Sequence, residues 1–375
     1  MLAAPACLAA CALVGCSLLT NLDGLAGDEA SAPVSPADAP GSETTTETST
    51  SDATSDGPPV VPGAYAPRFE RSLAIMNPST TQLAAGFAAC FRAVPQDILG
   101  AGAAKLRADA ADLRVFANGV ELKRVVDNLR TGILSVCFRL AGAIAPGATD
   151  TSYVVRYGDA SAAPPPPAES DVFDFFDGFD GTSLSPRWLK FGAPVVAGGF
   201  VTFPKSAPSA ITTTSGTDGV PLDASLEINA RVPSPASDGE LQDDAGTRFF
   251  YWFGFQHQGD FIAAEPWSIF IARGKSTVNA EHKTASGTCV SGCDEAAGTQ
   301  TTDARVYKVD RAGETVVFTY DTGATFQAVG SSGDQSLMIR NYLLTSDVVV
   351  DWVRARPLVL PEPIPSLGPE VVLAN

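Results

Sequence analysis

Histidine is nearly absent from this chain, with only His257 and His282 among 375 residues. Neither has a recognisable Ser or Cys nucleophile motif beside it, which removes the footing for triad chemistry. Basic side chains are scarce as well: 25 Lys and Arg stand against 42 Asp and Glu, a net charge of −17. Residues 1–67 hold no Lys or Arg and eight acids, which leaves 34 acids against 25 bases, or −9, for residues 68–375. A body of that sign has no electrostatic footprint for a phosphate backbone, so nucleic acid is not an expected partner. Strong helix formers are sparse while Gly (34) and Pro (28) are plentiful, and that balance points to β-structure. A hydrophobic share of 45 % is enough for ordinary cores and excludes a wholly disordered chain.

Met1 to Gly15 is almost entirely apolar. Fifteen residues are few for a bilayer span and suit the h-region of a signal peptide; no later stretch stays apolar for about 18 residues or more. Leu13-Val14-Gly15-Cys16 resembles the bacterial lipobox, after which cleavage leaves Cys16 to carry lipid. The segment lacks a positive n-region, so either the true start lies upstream or the start was misassigned. Ser17, where an Asp usually marks inner-membrane retention, favours by the same resemblance an outer-membrane lipoprotein of a Gram-negative bacterium, periplasmic or surface-facing. A membrane is therefore an expected partner through the acyl chains. Residues 16–67 carry that lipidated Cys and an acidic Ser/Thr/Pro-rich linker. Its stretch 28–66 has almost no large apolar side chain, cannot offset its ordering entropy, and is expected to be a disordered tether. As a flexible coil it would reach roughly 35 Å r.m.s..

Residues 68–163 alternate short apolar runs with turn residues, with strand candidates at 73–76, 87–91, 112–116, 133–140 and 153–157. Asn118-Gly119 between two apolar runs is a hairpin signal. The length and strand spacing suit a small β-sandwich. Pro164 to Pro167 opens a stiff Pro-rich linker over 164–170. Residues 171–358 carry candidates at 200–203, 225–232, 248–255, 268–272, 305–309, 315–320, 337–340 and 348–356, with a turn at Asp310-Arg-Ala-Gly313. Many strands and few helical stretches fit a large antiparallel sandwich of jelly-roll type. Residues 359–375 are left as a C-terminal tail.

Lys105 to Phe116, the strand from Ile133 to Leu140, and Tyr153-Val-Val-Arg-Tyr-Gly-Asp-Ala-Ser161 resemble an uncharacterised β domain of bacterial surface proteins, found beside ExbB/TolQ-type biopolymer transport proteins. Arg156 and Asp159 depart from that family's usual Tyr-Tyr-Gly-Asn. The family commonly precedes a concanavalin A-like (LamG-like) jelly roll. Phe173 to Leu184 followed by Trp188 resembles the opening of one, and Val349 to Arg356 its closing strand. The resemblance thus implies an all-β chain: a disordered tether, a small β-sandwich, then a concanavalin A-like antiparallel jelly-roll sandwich. It specifies architecture and is nearly silent on activity.

Cys7 and Cys11 leave with the signal and Cys16 carries lipid, so Cys90, Cys137, Cys289 and Cys293 remain. An even number in an oxidising envelope suggests two disulfides. Three pairings are open; Cys90 with Cys137 and Cys289 with Cys293 keeps each bond within one domain. The alternative for the second pair is zinc, with His282 and Asp294 nearby.

The sandwich class includes glycosidases, which place two carboxylates across the bond to be cleaved. Family-16 glycosidases of this fold carry Glu-x-Asp-x-x-Glu on one strand, and no such spacing occurs here. The nearest acid cluster, Glu240-Leu-Gln-Asp-Asp244, lies in a Gly/Ser/Pro-flanked loop, and the chain is not expected to be an enzyme. Along the aromatic strand, Phe249, Tyr251, Phe253 and Phe255 alternate to one face, and Phe250 and Trp252 to the other. One set enters the core. The other, joined by Trp267, is either covered by a further loop or the first domain, or forms a platform on which sugar rings stack. Asp177, Asp180 and Asp351 raise a calcium (Ca2+) site, because related sandwiches bind calcium where first and last strands meet. Turn-forming Asp beside Gly178 and Gly181 explains the first two without metal. The expected role is non-catalytic recognition of a glycan or other surface ligand through the second domain. The alternatives are a divergent glycan-cleaving enzyme and a structural envelope component that binds proteins.

Overall fold

The computed structural model describes residues 65–374 except 94–104, 128–133, 165, 206, 214–219, 221–222, 233–250, 258–265, 273–276, 285–293, 300–301, 322–324, 330–334 and 342–345. Cys16, Phe250, Cys289, Cys293 and the Glu240 to Asp244 cluster lie outside the described residues. No helix among the described residues is long and apolar enough to cross a membrane.

The first sandwich runs through β1 (Phe69–Met76), β2 (Ala88–Ala93), β3 (Arg114–Ala117), β4 (Val120–Glu121), β5 (Arg124–Asp127), β6 (Leu134–Arg139) and β7 (Thr149–Tyr157). Alternation in β1 and β7 sends Leu73, Ile75, Tyr153, Val155 and Tyr157 inward. There they pack on Leu134, Val136 and Phe138 of β6. Asn118 and Gly119 take φ of 49° and 80°, the positive pair that a two-residue hairpin needs to match strand twist, and they join β3 to β4. Cys90 and Cys137 stand directly opposite in the β2–β6 ladder and form a disulfide.

A four-residue helix, α1 (Glu169–Val172), occupies the end of the expected linker. The second sandwich then comprises β8 (Phe175–Asp177), β9 (Trp188–Phe191), β10 (Val195–Ala197), β11 (Phe200–Phe203), β12 (Ser209–Thr213), β13 (Ala224–Arg231), β14 (Tyr251–His257), β15 (Trp267–Ala272), β16 (Thr277–Lys283), β17 (Asp294–Thr299), β18 (Arg305–Ala312), β19 (Thr315–Tyr320), β20 (Thr325–Val329), β21 (Gln335–Asn341) and β22 (Val348–Pro357). One antiparallel sheet has the order β10-β11-β22-β13-β18-β19-β20, with β8 also on β22; the other reads β17-β16-β15-β14-β21-β12-β9. The chain is all-β, and its larger part is a jelly-roll sandwich. Between its sheets the rings of Phe253 and Tyr307 lie 4.7 Å apart, and those of Phe270 and Phe318 5.4 Å apart, both edge to face. The turn expected at Asp310–Gly313 sits further on. Asp310 and Arg311 are strand residues opposite Val317 and Val316, and Gly313, at φ 57°, forms the turn with Glu314.

The expected tail is also corrected. Residues 364–372 form β23 (Ile364–Val372), which returns to the first sandwich and pairs antiparallel with β1, giving the sheet order β23-β1-β7-β3-β4. The remaining strands of that sandwich form a second sheet, β2-β6-β5. Pro365 and Pro369 cannot donate ladder hydrogen bonds, and an edge strand tolerates them because one side of it needs no partner. The two sandwiches meet at a cluster of Val125, Cys137, Ala168, Val172 and Phe173. Arg354 of β22 reaches Asp127 of β5 at 2.6 Å and Glu227 of β13 at 2.5 Å, its guanidinium 4.6 Å from the Phe173 ring. Arg139 of β6 crosses the same boundary to Asp174 at 2.7 Å.

Candidate functional site

Core contacts fix which side of the seven-stranded sheet faces outward. Tyr251, Phe253, Phe255, Phe270, Val278, Ala280, Leu337 and Ile339 enter the core. Their strand neighbours therefore line the opposite face. Registers arrange these neighbours in rows across β21, β14, β15 and β16: Ser336, Gln256, Trp267 and Lys283; then Met338, Gly254, Ile269 and Glu281; then Arg340, Trp252, Ile271 and Asn279.

Two tryptophans dominate this face, their ring centres 5.7 Å apart. The Arg340 guanidinium lies 4.8 Å from the Trp252 ring and the Lys283 ammonium 4.5 Å from the Trp267 ring, each positioned for cation–π attraction. Lys283 is also 3.8 Å from the Glu281 carboxylate. Trp267 Nε1–H and Ser336 Oγ, both in the first row, are buried without a hydrogen-bond partner among the described residues. Trp252 is 6 % exposed and Trp267 7 %, with Ile269 and Met338 fully buried. Of the two arrangements left open by the alternation, the face is covered.

Gly254 sits at the centre of these rows. Its φ of 151° lies outside the range side chains favour, and a Cβ there would collide with the Ser268 carbonyl and come within 2.9 Å of Ile269 Cα. Gly254→Ala is therefore expected to lower stability by about 2–3 kcal/mol. Urea unfolding measures this; an unchanged midpoint would mean that the β15 backbone yields.

Two of the three expected calcium ligands are engaged in hydrogen bonds within the fold. Asp177 accepts hydrogen bonds from the Phe179 backbone N–H at 2.8 Å and from the Trp188 indole at 2.7 Å. Asp351 accepts one from Asn229 at 3.1 Å, and Asp180 is exposed. Among the described residues, no group of three or more His, Cys, Asp or Glu is placed to hold a metal ion. His282, 14 positions from Ser268, meets its hydroxyl at 3.0 Å through Nδ1, a contact that sequence spacing did not suggest. With both residues fully buried and directly opposite in register, the pair is placed to hold the β15–β16 ladder. Tyr251 and Tyr307 share a hydroxyl contact of 3.3 Å, and burial pushes both phenols above their ordinary range, which keeps them neutral.

A feature without a sequence signal is a cleft of about 410 Å³ beside the proline linker, with Arg114, Glu121, Lys123 and Arg124 on its wall. These side chains come together only because β3, β4 and β5 fold against residues 163–168.

No family model and no curated protein matches the sequence. Solved structures similar to it include a prokaryotic β-1,3-1,4-glucanase (lichenase) from a mouse hindgut metagenome, at 14 % identity over 49 % of this chain and 99 % of that one, TM-score 0.35. The apo Crh5 transglycosylase is similar at 12 % identity over 49 % and 84 %, TM-score 0.38. The carbohydrate recognition domain of Emp47p is similar at 10 % identity over 50 % and 96 %, TM-score 0.35.

Proposed function

We propose that the second sandwich is a non-catalytic glycan-binding module, carried by an outer-membrane lipoprotein anchored through Cys16. The observation that carries this reading is the first row of the outer sheet face. There the Trp267 indole carries an N–H with no acceptor among the described residues, beside Gln256 and the Ser336 hydroxyl. Flat rings stacked on the C–H faces of a sugar, with hydrogen-bonding groups at their margin, are the chemistry of saccharide recognition. A ligand oxygen would complete the hydrogen-bonding capacity that Trp267 and Ser336 leave unused. Trp252 and Trp267 are covered, so a sugar would reach them only where the covering residues yield, and tryptophan emission would report it.

The test is a glycan array on the full chain, followed by titration of the best hit against Trp267→Phe and Trp252→Phe. Each replacement is expected to weaken binding tenfold or more, about 1.4 kcal/mol, with the melting temperature kept within a few degrees. Binding indifferent to both replacements sinks the proposal. Product release from a bound polysaccharide, lost in Glu281→Gln, would replace recognition by cleavage.

A further inference from the structure

The linker cleft has the makings of a second site, on the first sandwich and independent of the tryptophan face. Its wall concentrates positive charge on a chain of net −17. Arg114 Nη1 and Arg124 Nη1 both donate to Glu121, at 3.0 Å and 3.4 Å, so two guanidiniums share one carboxylate. Arg124 Nη2 donates to the Ala111 carbonyl at 3.1 Å, a neutral partner. The Nε–H groups of Arg114 and Arg124 are buried without an acceptor among the described residues. Lys123 stands at the mouth, 65 % exposed and paired with Asp171 at 2.8 Å. Burial draws the Arg124 pKa down to about 10, which still leaves it charged at neutral pH. Glu121 and the buried Asp112 balance the two guanidiniums in charge, but the unused N–H donors are a costly arrangement that a bound anion relieves. Arginine forks match the geometry of a carboxylate. The opposite walls are apolar, formed by Leu122, Pro164 and Pro166, and the volume falls within the roughly 300–1,000 Å³ of small-ligand pockets.

We propose that this cleft binds the carboxylate of an acidic sugar, such as a uronate unit, with Arg114 and Lys123 on the carboxylate, Arg124 behind them, and the prolines and Leu122 against the ring. The carboxylate follows from the cleft itself; a sugar as its carrier rests on the glycan reading above.

Isothermal titration of the full chain with digalacturonate, with its neutral methyl ester, and with acetyl-Ala-Ala tests this. Saturable binding of digalacturonate is expected, at least tenfold tighter than the ester. Arg114→Gln should weaken it tenfold or more. Lys123→Glu, at an exposed position with little consequence for folding, should weaken it severalfold and flatten its salt dependence. Trp267→Phe should leave it unchanged, which separates this site from the tryptophan face. Equal binding of acid and ester, indifference to both charge variants, or no binding at all overturns the proposal. So does peptide binding as tight as that of the sugar, which would also locate the fault in the choice of carrier.

Discussion

A chain ending at Pro363 is expected to fold its jelly roll and to lose much of the stability of its first sandwich. That truncation strips β23 from β1 along seven paired positions, from Phe69↔Val372 to Met76↔Ile364. It also removes the Gly368 carbonyl that accepts from Arg71 Nε at 2.7 Å, and the Glu370 carboxylate bound by Tyr157 and Lys105. Leu367, which packs on the first core, goes with them. At about 1 kcal/mol net for each of these three side-chain contacts, the loss is on the order of 3 kcal/mol before the ladder itself is counted. For a domain of this size, that lowers the melting temperature by on the order of 15 °C. Calorimetry on the intact and shortened chains measures it. A single unshifted transition would show that β23 is dispensable. Lys105 holds Glu370 below the usual carboxylate range, with help from Tyr157. A depressed acid stabilises only while ionised, so this contribution is present above the ordinary carboxylate range and fades as pH falls through the lowered value. The difference between the two chains should narrow in acid.

Arg354→Ala is expected to destabilise by about 3–5 kcal/mol, because it leaves a carboxylate stranded inside the protein. Glu227 is 3 % exposed and Arg354 likewise, and Arg354 Nε donates to Glu227 at 2.6 Å. The same guanidinium reaches Asp127 across the boundary between sandwiches and stacks 4.4 Å from the Trp352 ring. The double variant Arg354→Met with Glu227→Gln should recover part of the loss, since Asp127 is then the one carboxylate of the group left without its partner. Urea denaturation of the three chains gives both numbers. Equal destabilisation by the single and double variants would assign the effect to packing instead of charge.

Legibility in the sequence followed the range of the forces involved. β14 was readable because Tyr251, Phe253 and Phe255 alternate, and a period of two needs no distant partner to be seen. The Asn118-Gly119 hairpin was readable because two positive φ values are demanded locally. β16, with Asn279, Glu281 and Lys283 on one side, was missed because its outward residues are polar and its inward ones, Val278 and Ala280, are small. β23 was missed because Pro365, Gly368 and Pro369 read as turn residues, and only its edge position tolerates them. Arg354 and the Arg114–Glu121–Arg124 cluster could not be seen at all. Their partners are set by the docking of sheets, and no spacing encodes that. The tryptophan face was half legible: alternation names its residues, and only the fold reveals that it is covered.

The return of β23 also determines how the body bears load. The N-terminal end of β1, at Phe69, lies beside Val372, while β23 begins at the far end, where Ile364 faces Met76. A pull between the N-terminal side and the jelly roll, transmitted through β23, drags the two strands lengthwise past each other. All seven paired positions then resist together, as in a lap joint. Through β7, whose last residue Tyr157 also faces Phe69, the same pull opens the ladder one rung at a time, like a zipper. The C-terminal strand thus gives a weak mechanical connection a strong parallel route.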